Sequence, residues 1–225
     1  MSSKYFREML ISPHLDKRFG SMYSNYDKKT VRKILISLLN ILVKLCKQHD
    51  IKCIIAHGTL IGHYFNKCIL PWDNDIDVVL IGDSITKFMK LNKIQNKYFL
   101  IDINPHCLNR SPQDRLNVID ARVICKQTGY FIDVTFLTPN VGYSKDQNKV
   151  VVNCKSPHYY FLDDFLPLKE DKFEGIDVYI PNKIEKVLEY EYGKKVFLPR
   201  FEGWVFKDGE WSRSSRSSNN KRLIK

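Results

Sequence analysis

Residues 71–80 read Pro-Trp-Asp-Asn-Asp-Ile-Asp-Val-Val-Leu, three carboxylates alternating along five positions and running into an apolar segment. In a β-strand, residues two apart point to one face, about 7 Å apart. Asp75 and Asp77 would then project together, while Ile76, Val78 and Leu80 turn toward a core. Like charges side by side are costly unless something positive sits between them. A hard cation such as Mg2+, which prefers carboxylate oxygen and water, is one answer. An acidic turn before an ordinary strand is the other, and the motif alone leaves both open.

The surroundings narrow the choice. Upstream the chain reads Ile54-Ile55-Ala56-His57-Gly58-Thr59-Leu60-Ile61-Gly62, an apolar run ending in Gly-Thr with a helix able to begin at Leu60. A glycine at such a junction lets a phosphate approach the backbone, and a helix N-terminus attracts anions. Downstream, residues 118–125 and 130–137 read as a hairpin around Lys126-Gln127-Thr128-Gly129. Asp133 is the one charge inside Phe131-Ile132-Asp133-Val134-Thr135-Phe136, and a carboxylate there should be paired or bound to metal. Asp120 and Arg122 share a face of the partner strand, so Arg122 either pairs with Asp120 or reaches a phosphate.

Along the chain, residues 1–27 show no clear period and read as a loose lead-in. Residues 28–48 read as a helix, with Val31, Ile34, Leu35, Leu38, Leu39, Leu42, Leu45 and Cys46 at three- and four-residue spacing. Core packing is the first reading of that face and a membrane surface the second. Strands are expected at 51–56, 75–81, 98–103 and 150–153, and helices at 85–94 and 182–192. Residues 104–117 read as a loop bordering a donor site. Asp163 and Asp164 read as caps, and Tyr159-Tyr160-Phe161 as packing or a base-stacking cluster. Trp204, Phe206 and Trp211 are placed to close over the body, which ends at 211. Residues 212–225 are Ser-, Arg- and Asn-rich and read as a disordered tail.

The motifs together resemble the LicD/fukutin family of nucleotidyltransferase-fold proteins. Gly58-Thr59-Leu60-Ile61-Gly62 and Pro71-Trp72-Asp73-Asn74-Asp75-Ile76-Asp77 carry the likeness, and Gly129-Tyr130-Phe131-Ile132-Asp133-Val134 looks like that family's strand with a third acid. Phe165-Leu166-Pro167-Leu168, Phe173-Glu174-Gly175, Val178-Tyr179-Ile180-Pro181 and Tyr192-Gly193 follow in the family's order, so the resemblance covers about residues 50–200. Two segments depart from it. Where the family often has Arg-His-Lys-Gly, this chain has Phe65-Asn66-Lys67-Cys68, and Lys194-Lys195 replaces Asp-Trp.

The resemblance implies an α/β domain, a nucleotidyltransferase-like mixed sheet flanked by helices. It also implies a phosphotransferase moving phosphocholine or ribitol phosphate from a CDP-activated donor to a glycan hydroxyl, with release of CMP. The residues suggest the parts: Mg2+ or Mn2+ held by Asp75, Asp77 and Asp133, a phosphate at Gly58 and Thr59, and Lys67 or Arg122 meeting the donor phosphate. Asp133 would orient or deprotonate the acceptor hydroxyl. Two rivals stand: a nucleotidyltransferase acting on RNA or a small molecule, and a non-catalytic binding protein of the same fold.

Charge bears on the first rival. Residues 51–206 hold twenty Lys/Arg and nineteen Asp/Glu, a net +1. That is a poor track for a polyanion. The excess behind the overall +11 lies at the ends, +6 in residues 1–50 and +4 in residues 207–225. Basic ends suit weak contact with an anionic surface or a solvated exterior. The six cysteines include no Cys-x-x-Cys pair. With no apolar leader and no long apolar span, a cytoplasmic location is expected, unlike the anchored Golgi relatives of this family.

Overall fold

The computed structural model describes residues 5–6, 10–12, 14–20, 26–109, 119–139, 151–153 and 158–214. The lead-in holds a small antiparallel pair, β1 (Leu10–Ser12) and β2 (Leu15–Asp16). Helix α1 (Lys28–Gln48) follows, with the Asp27 carboxylate accepting the Thr30 N–H at 2.7 Å as its cap. Its buried residues are Val31, Leu35, Leu38, Leu39, Leu42 and Cys46, the stripe expected from the 3.6-residue period. Each fully buried leucine there contributes roughly 1.5–3 kcal/mol of transfer free energy. The stripe lies in the main core, so the membrane-surface reading of this helix is set aside.

The chain then runs through β3 (Ile54–Ile55), α2 (His57–Asn66), β4 (Asp77–Ile81), α3 (Asp83–Met89), β5 (Phe99–Ile103), β6 (Ala121–Cys125) and β7 (Phe131–Pro139). After it come β8 (Val151–Asn153), β9 (Tyr159–Phe161), α4 (Leu162–Phe165), β10 (Lys169–Phe173), β11 (Ile176–Ile180), α5 (Ile184–Tyr192) and a 3-10 turn at Lys194–Phe197. A separate antiparallel sheet closes the described chain: β12 (Arg200–Phe201), β13 (Trp204–Lys207) and β14 (Glu210–Arg213).

Seven strands form the main path in the order β10-β11-β3-β4-β7-β6-β5, and β8 with β9 extends from β7. The sheet is mixed. β4 runs parallel to β7 and β11 parallel to β3, while the other neighbours on the path are antiparallel. With helices packed on it, this is the expected α/β architecture. α1 packs on β6, β7 and β11, α2 on β4 and α5, and α3 on β4.

Several details differ from the sequence reading. The second strand begins at Asp77 rather than Asp75, so the two acids sit at the end of a loop and the first position of a strand. The helix after β3 begins at His57, which places Gly58 and Thr59 inside its first turn. Asp163 and Asp164 make no cap; Asp164 is buried and accepts bonds from Lys183 Nζ at 2.8 Å and the Tyr190 hydroxyl at 3.2 Å. The final strand runs through Arg213, two residues into the segment read as tail, and residues 215–225 lie outside the described residues. So do residues 110–117 of the loop read as bordering the donor site, and residue 118, the first of the next expected strand. Among the described residues no helix is long and apolar enough to cross a membrane.

Candidate active site

The acids are positioned by strand pairing. Asp77 opens β4 and lies directly opposite Asp133 on its parallel neighbour β7. Residues opposite one another on neighbouring strands share a face, so these two carboxylates project together. Asp133 is in turn opposite Arg122 of β6. Arg122 Nε donates to Asp133 Oδ1 at 2.7 Å, and the guanidinium lies between the rings of Phe131, 3.9 Å from its centroid, and Phe6, 4.7 Å away. Of the two sequence alternatives for Arg122, the pairing with Asp120 does not hold, because its partner is Asp133. Asp120 is fully buried, with Oδ2 accepting the Phe136 N–H at 2.7 Å, and Arg122, 4% exposed, is spent on Asp133.

Gly58 and Thr59 fix the loop acids. A Cβ on Gly58 would stand 2.9 Å from Asp73 Oδ2, so only glycine lets that carboxyl lie against the helix start. The Thr59 hydroxyl accepts the Asp77 N–H at 2.9 Å, tying the first turn of α2 to the first residue of β4. No side chain caps α2 at Ala56, which leaves first-turn N–H groups facing the same region. Behind the loop, Glu174 in the β10–β11 turn accepts the Ile69 N–H at 2.7 Å and pairs with Arg32 at 2.7 Å. That clamp gives the Phe-Glu-Gly motif its role. Lys67 caps the other end of α2 in a left-handed conformation, with Nζ 2.7 Å from Asp171 Oδ1.

The lead-in also reaches the site. His14 Nδ1 stands 3.5 Å from Asp75 Oδ2, and Arg122 Nη1 donates to the Phe6 carbonyl at 3.4 Å. Arg18 ties Asp16 to Asp102, at 2.8 and 2.6 Å. Residues 1–27 are therefore more than a loose lead-in where they are described: short strands pinned by polar clamps, which carry no period for a sequence pattern to reveal.

A group not singled out from sequence completes the arrangement. His57 begins α2 with φ +50°, a left-handed value unusual for a residue with a side chain. Its Nδ1 lies 2.9 Å from Glu191 Oε2, and the Tyr160 hydroxyl donates to Glu191 Oε1 at 2.5 Å. The Glu191 side chain is 1% exposed. Burial opposes charge on His57, but Glu191, then Asp77 and Asp133, outweigh it and push its pKa up to about 9. Glu191 itself is held below the usual carboxylate range: burial would raise it, and His57 and Tyr160 overcome that. A histidine beside Gly-Thr and a glutamate beside Tyr-Gly were the only signals in the sequence, and they lie 134 positions apart.

The acids strain one another. Asp73 is pushed up to about 9 by burial, by its hydrogen bond to Asp75 and by the charges of Asp75 and Asp77. Burial alone would raise Asp75 too, but His14 and the bond to Asp73 hold it low. The two move in opposite directions, Asp73 upward and Asp75 downward, as like charges that crowd one another do. Asp77 lies well above the ordinary value through burial, His57 pulling it back and Asp75, Asp133 and Glu191 adding to the rise. Asp133 is raised by burial, against the pull of Arg122.

One family pattern matches residues 50–183, described as the LicD/FKTN/FKRP nucleotidyltransferase domain. The chain belongs to this family. Curated relatives include mannosyltransferase regulator 4 of Saccharomyces cerevisiae, 30% identical over 143 residues, and mannosyltransferase regulator 14 of the same yeast, 26% identical over 178 residues. Those matches cover 59% and 73% of this chain but 12% and 19% of the yeast proteins. The lipopolysaccharide cholinephosphotransferase LicD of Haemophilus influenzae is 38% identical over 65 residues, 28% of this chain and 24% of that protein. The chain thus spans a quarter or less of each of these relatives.

Within the LicD domain the donor set suits a hard cation, being carboxylate oxygens gathered at the start of β4 and on the neighbouring strand. Among the described residues no three His, Cys, Asp or Glu side chains are gathered as a finished cage. An open site completed by water and substrate phosphate is how Mg2+ is usually held. Asp75 and Asp77 fit that role, with Asp133 opposite Asp77 on the neighbouring strand.

Proposed function

We propose that this LicD-family chain is a metal-dependent phosphotransferase, moving a phospho-alcohol group, phosphocholine or ribitol phosphate, from a CDP-activated donor to a glycan hydroxyl and releasing CMP. The observation that carries the reading is the direct pairing of Asp77 with Asp133, with Asp75 two residues before the strand and Gly58-Thr59 against the same acids. The name of the Haemophilus relative, a cholinephosphotransferase acting on lipopolysaccharide, supports the substrate class.

Asp75 and Asp77 would hold Mg2+ or Mn2+ in this site. Such an ion supplies positive charge to phosphate oxygens as the bond to the leaving nucleotide weakens. First-turn N–H groups of α2 face the donor phosphate. The His57 imidazolium, oriented by Glu191 and Tyr160, adds a fixed donor on the same side. Asp133 keeps one oxygen on Arg122 and turns the other to the acceptor hydroxyl, orienting it or taking its proton. Arg122 acts through Asp133, and Lys67 remains an outer phosphate contact that must leave Asp171.

A second reading is a non-catalytic binding protein, favoured by the Arg122–Asp133 ion pair, which spends one acid, and by the regulator names of the two yeast relatives. Purified protein with Mg2+ or Mn2+ should be given CDP-choline, CDP-ribitol, CDP-glycerol, CTP and ATP, and nucleotide release followed. CMP from a CDP-alcohol is the expected result. Pyrophosphate from CTP or ATP with no CMP moves the chain to the nucleotidyltransferases, and no release from any donor leaves the binding protein.

A further inference from the structure

Beside the acids lies a cavity of about 180 Å³. Gly58, Asp73, Phe65, Trp72 and Trp211 are among the residues that line it, together with the exposed Lys195 and Arg200. At about 30 Å³ per water it has room for about six waters, the scale of one ring system rather than a whole substrate. Trp211 meets Phe65 and Trp72 edge-on, with centroids 4.9 Å apart in both cases.

Two features exceed what packing needs. The Trp211 indole N–H is buried and has no acceptor among the described residues. Orphaned buried donors are rare and call for a partner. Lys195 and Arg200, both exposed, carry no ion-pair partner among the described residues, in contrast to Arg122, which is paired with Asp133.

We infer that this cavity receives the nucleobase of a nucleotide donor, with Trp211 Nε1–H donating to a ring oxygen or nitrogen and Lys195 and Arg200 facing the phosphates. The inference rests on the phosphotransferase reading for the donor's class. Aromatic walls take a planar ring, and cations pair with phosphate. A sugar in this cavity would lack partners for most of its hydroxyls on such an apolar wall. An acyl chain would leave both the indole donor and the two cations without a role.

The chain's three tryptophans are Trp72, Trp204 and Trp211, and Trp72 touches both others, so intrinsic fluorescence reads this corner of the protein. The full chain should be titrated with CMP, and separately with inorganic phosphate, in EDTA. Saturable quenching by CMP that phosphate does not reproduce is expected. Trp211→Phe keeps the ring and removes the donor, and should weaken CMP about five- to tenfold. Lys195→Ala with Arg200→Ala, both exposed positions, should weaken CMP and flatten its salt dependence. Asp77→Asn should still bind CMP, which separates this site from turnover. No saturable CMP effect, or equal affinity in wild type and all cavity variants, overturns the inference. If CMP quenches as expected but no CDP-alcohol is turned over, the cavity stands and the reaction falls; turnover unaffected by the cavity variants gives the reverse.

Discussion

Replacing Arg122 by alanine strips the partner from a carboxylate held inside the sheet. The pair is 4% and 13% exposed and joined at 2.7 Å, so solvent screening discounts it little. Breaking a buried pair from one side costs about 3–5 kcal/mol, because the remaining charge is left alone. Asp133 keeps some access to water, so the low end, about 3 kcal/mol, is expected. At about 2–4 °C per kcal/mol for a chain of this size, the melting temperature should fall about 6–12 °C. The pH dependence has a fixed sign. Asp133 already lies above the usual carboxylate value through burial, with Arg122 pulling it back. Without Arg122 it rises further, so the folded state holds that proton more tightly than the unfolded chain. Stability is then greatest below the unfolded value of about 3.9 and is lost as pH rises through the folded value. The deficit should be full at pH 8 and shrink toward pH 5. Urea unfolding at pH 5, 6, 7 and 8 reads this from midpoints at constant slope. Adding Asp133→Asn should recover at least about 1 kcal/mol, as coupled neighbours do. A deficit under about 1 kcal/mol, flat in pH and uncoupled from Asp133→Asn, would refute the assignment of Arg122 to Asp133.

Asp75→Asn or Asp77→Asn should abolish CMP release, and Asp77→Asn should raise the melting temperature in EDTA because it relieves crowded charge; near-wild-type turnover in both variants ends the metal-site proposal. Glu191→Gln removes the largest influence that, against burial, holds His57 near 9, so the basic limb of kcat/KM should move toward neutral pH. The same substitution should erase stability that is present below about pH 6.5 and lost toward pH 9 in the wild type; an unmoved limb removes His57 from the mechanism. Gly58→Ala puts a methyl 2.9 Å from Asp73 Oδ2 and should cut turnover about ten- to hundredfold, since small displacements of catalytic groups cost that much; full activity would show that Asp73 is free to move. Deleting residues 215–225 should leave turnover on a small acceptor unchanged, read by CMP release, and a large loss would bring that segment into the site.

What the sequence revealed and what it hid follow one physical division. α1 was legible to both ends because its burial repeats every 3.6 residues and Asp27 supplies a cap. The β6–β7 hairpin was legible from its turn and its apolar runs, and with it the place of Asp133. The start of β4 was misjudged by two residues, since alternation continues through Asp75 although strand pairing begins at Asp77. His57 and Glu191 were hidden because neither lies in a periodic pattern; packing of α2 on α5 brings them together. The role of Trp72 was equally invisible. It stacks on Phe201 at 4.8 Å, a contact across more than a hundred residues to a small sheet whose strands are two to four residues long. The family's missing arginine has a counterpart here: Phe65 joins Phe206 and Trp211 in that aromatic cluster, at 5.0 and 4.9 Å.

The sheet register explains why Arg122 is available to Asp133 at all. Four charged residues form one row across neighbouring strands: Asp77 on β4, Asp133 on β7, Arg122 on β6 and Asp102 on β5. Asp102 is fully buried and would compete for Arg122 from the other side. It does not, because Arg18 at 2.6 Å, Lys93 and the Tyr5 hydroxyl satisfy it. Arg18 in turn is held by Asp16, on the strand pair at the start of the chain. Its charge is reinforced by both carboxylates despite burial. The residues that settle the charge of the acidic centre therefore include Phe6, His14 and Arg18, before the matched segment 50–183, and Glu191, after it. A catalytic test on residues 50–183 alone would remove the histidine beside Asp75, the glutamate behind His57 and the clamp that frees Arg122. Activity should accordingly be sought in the full chain, where the acids have the partners that fix which of them carries charge.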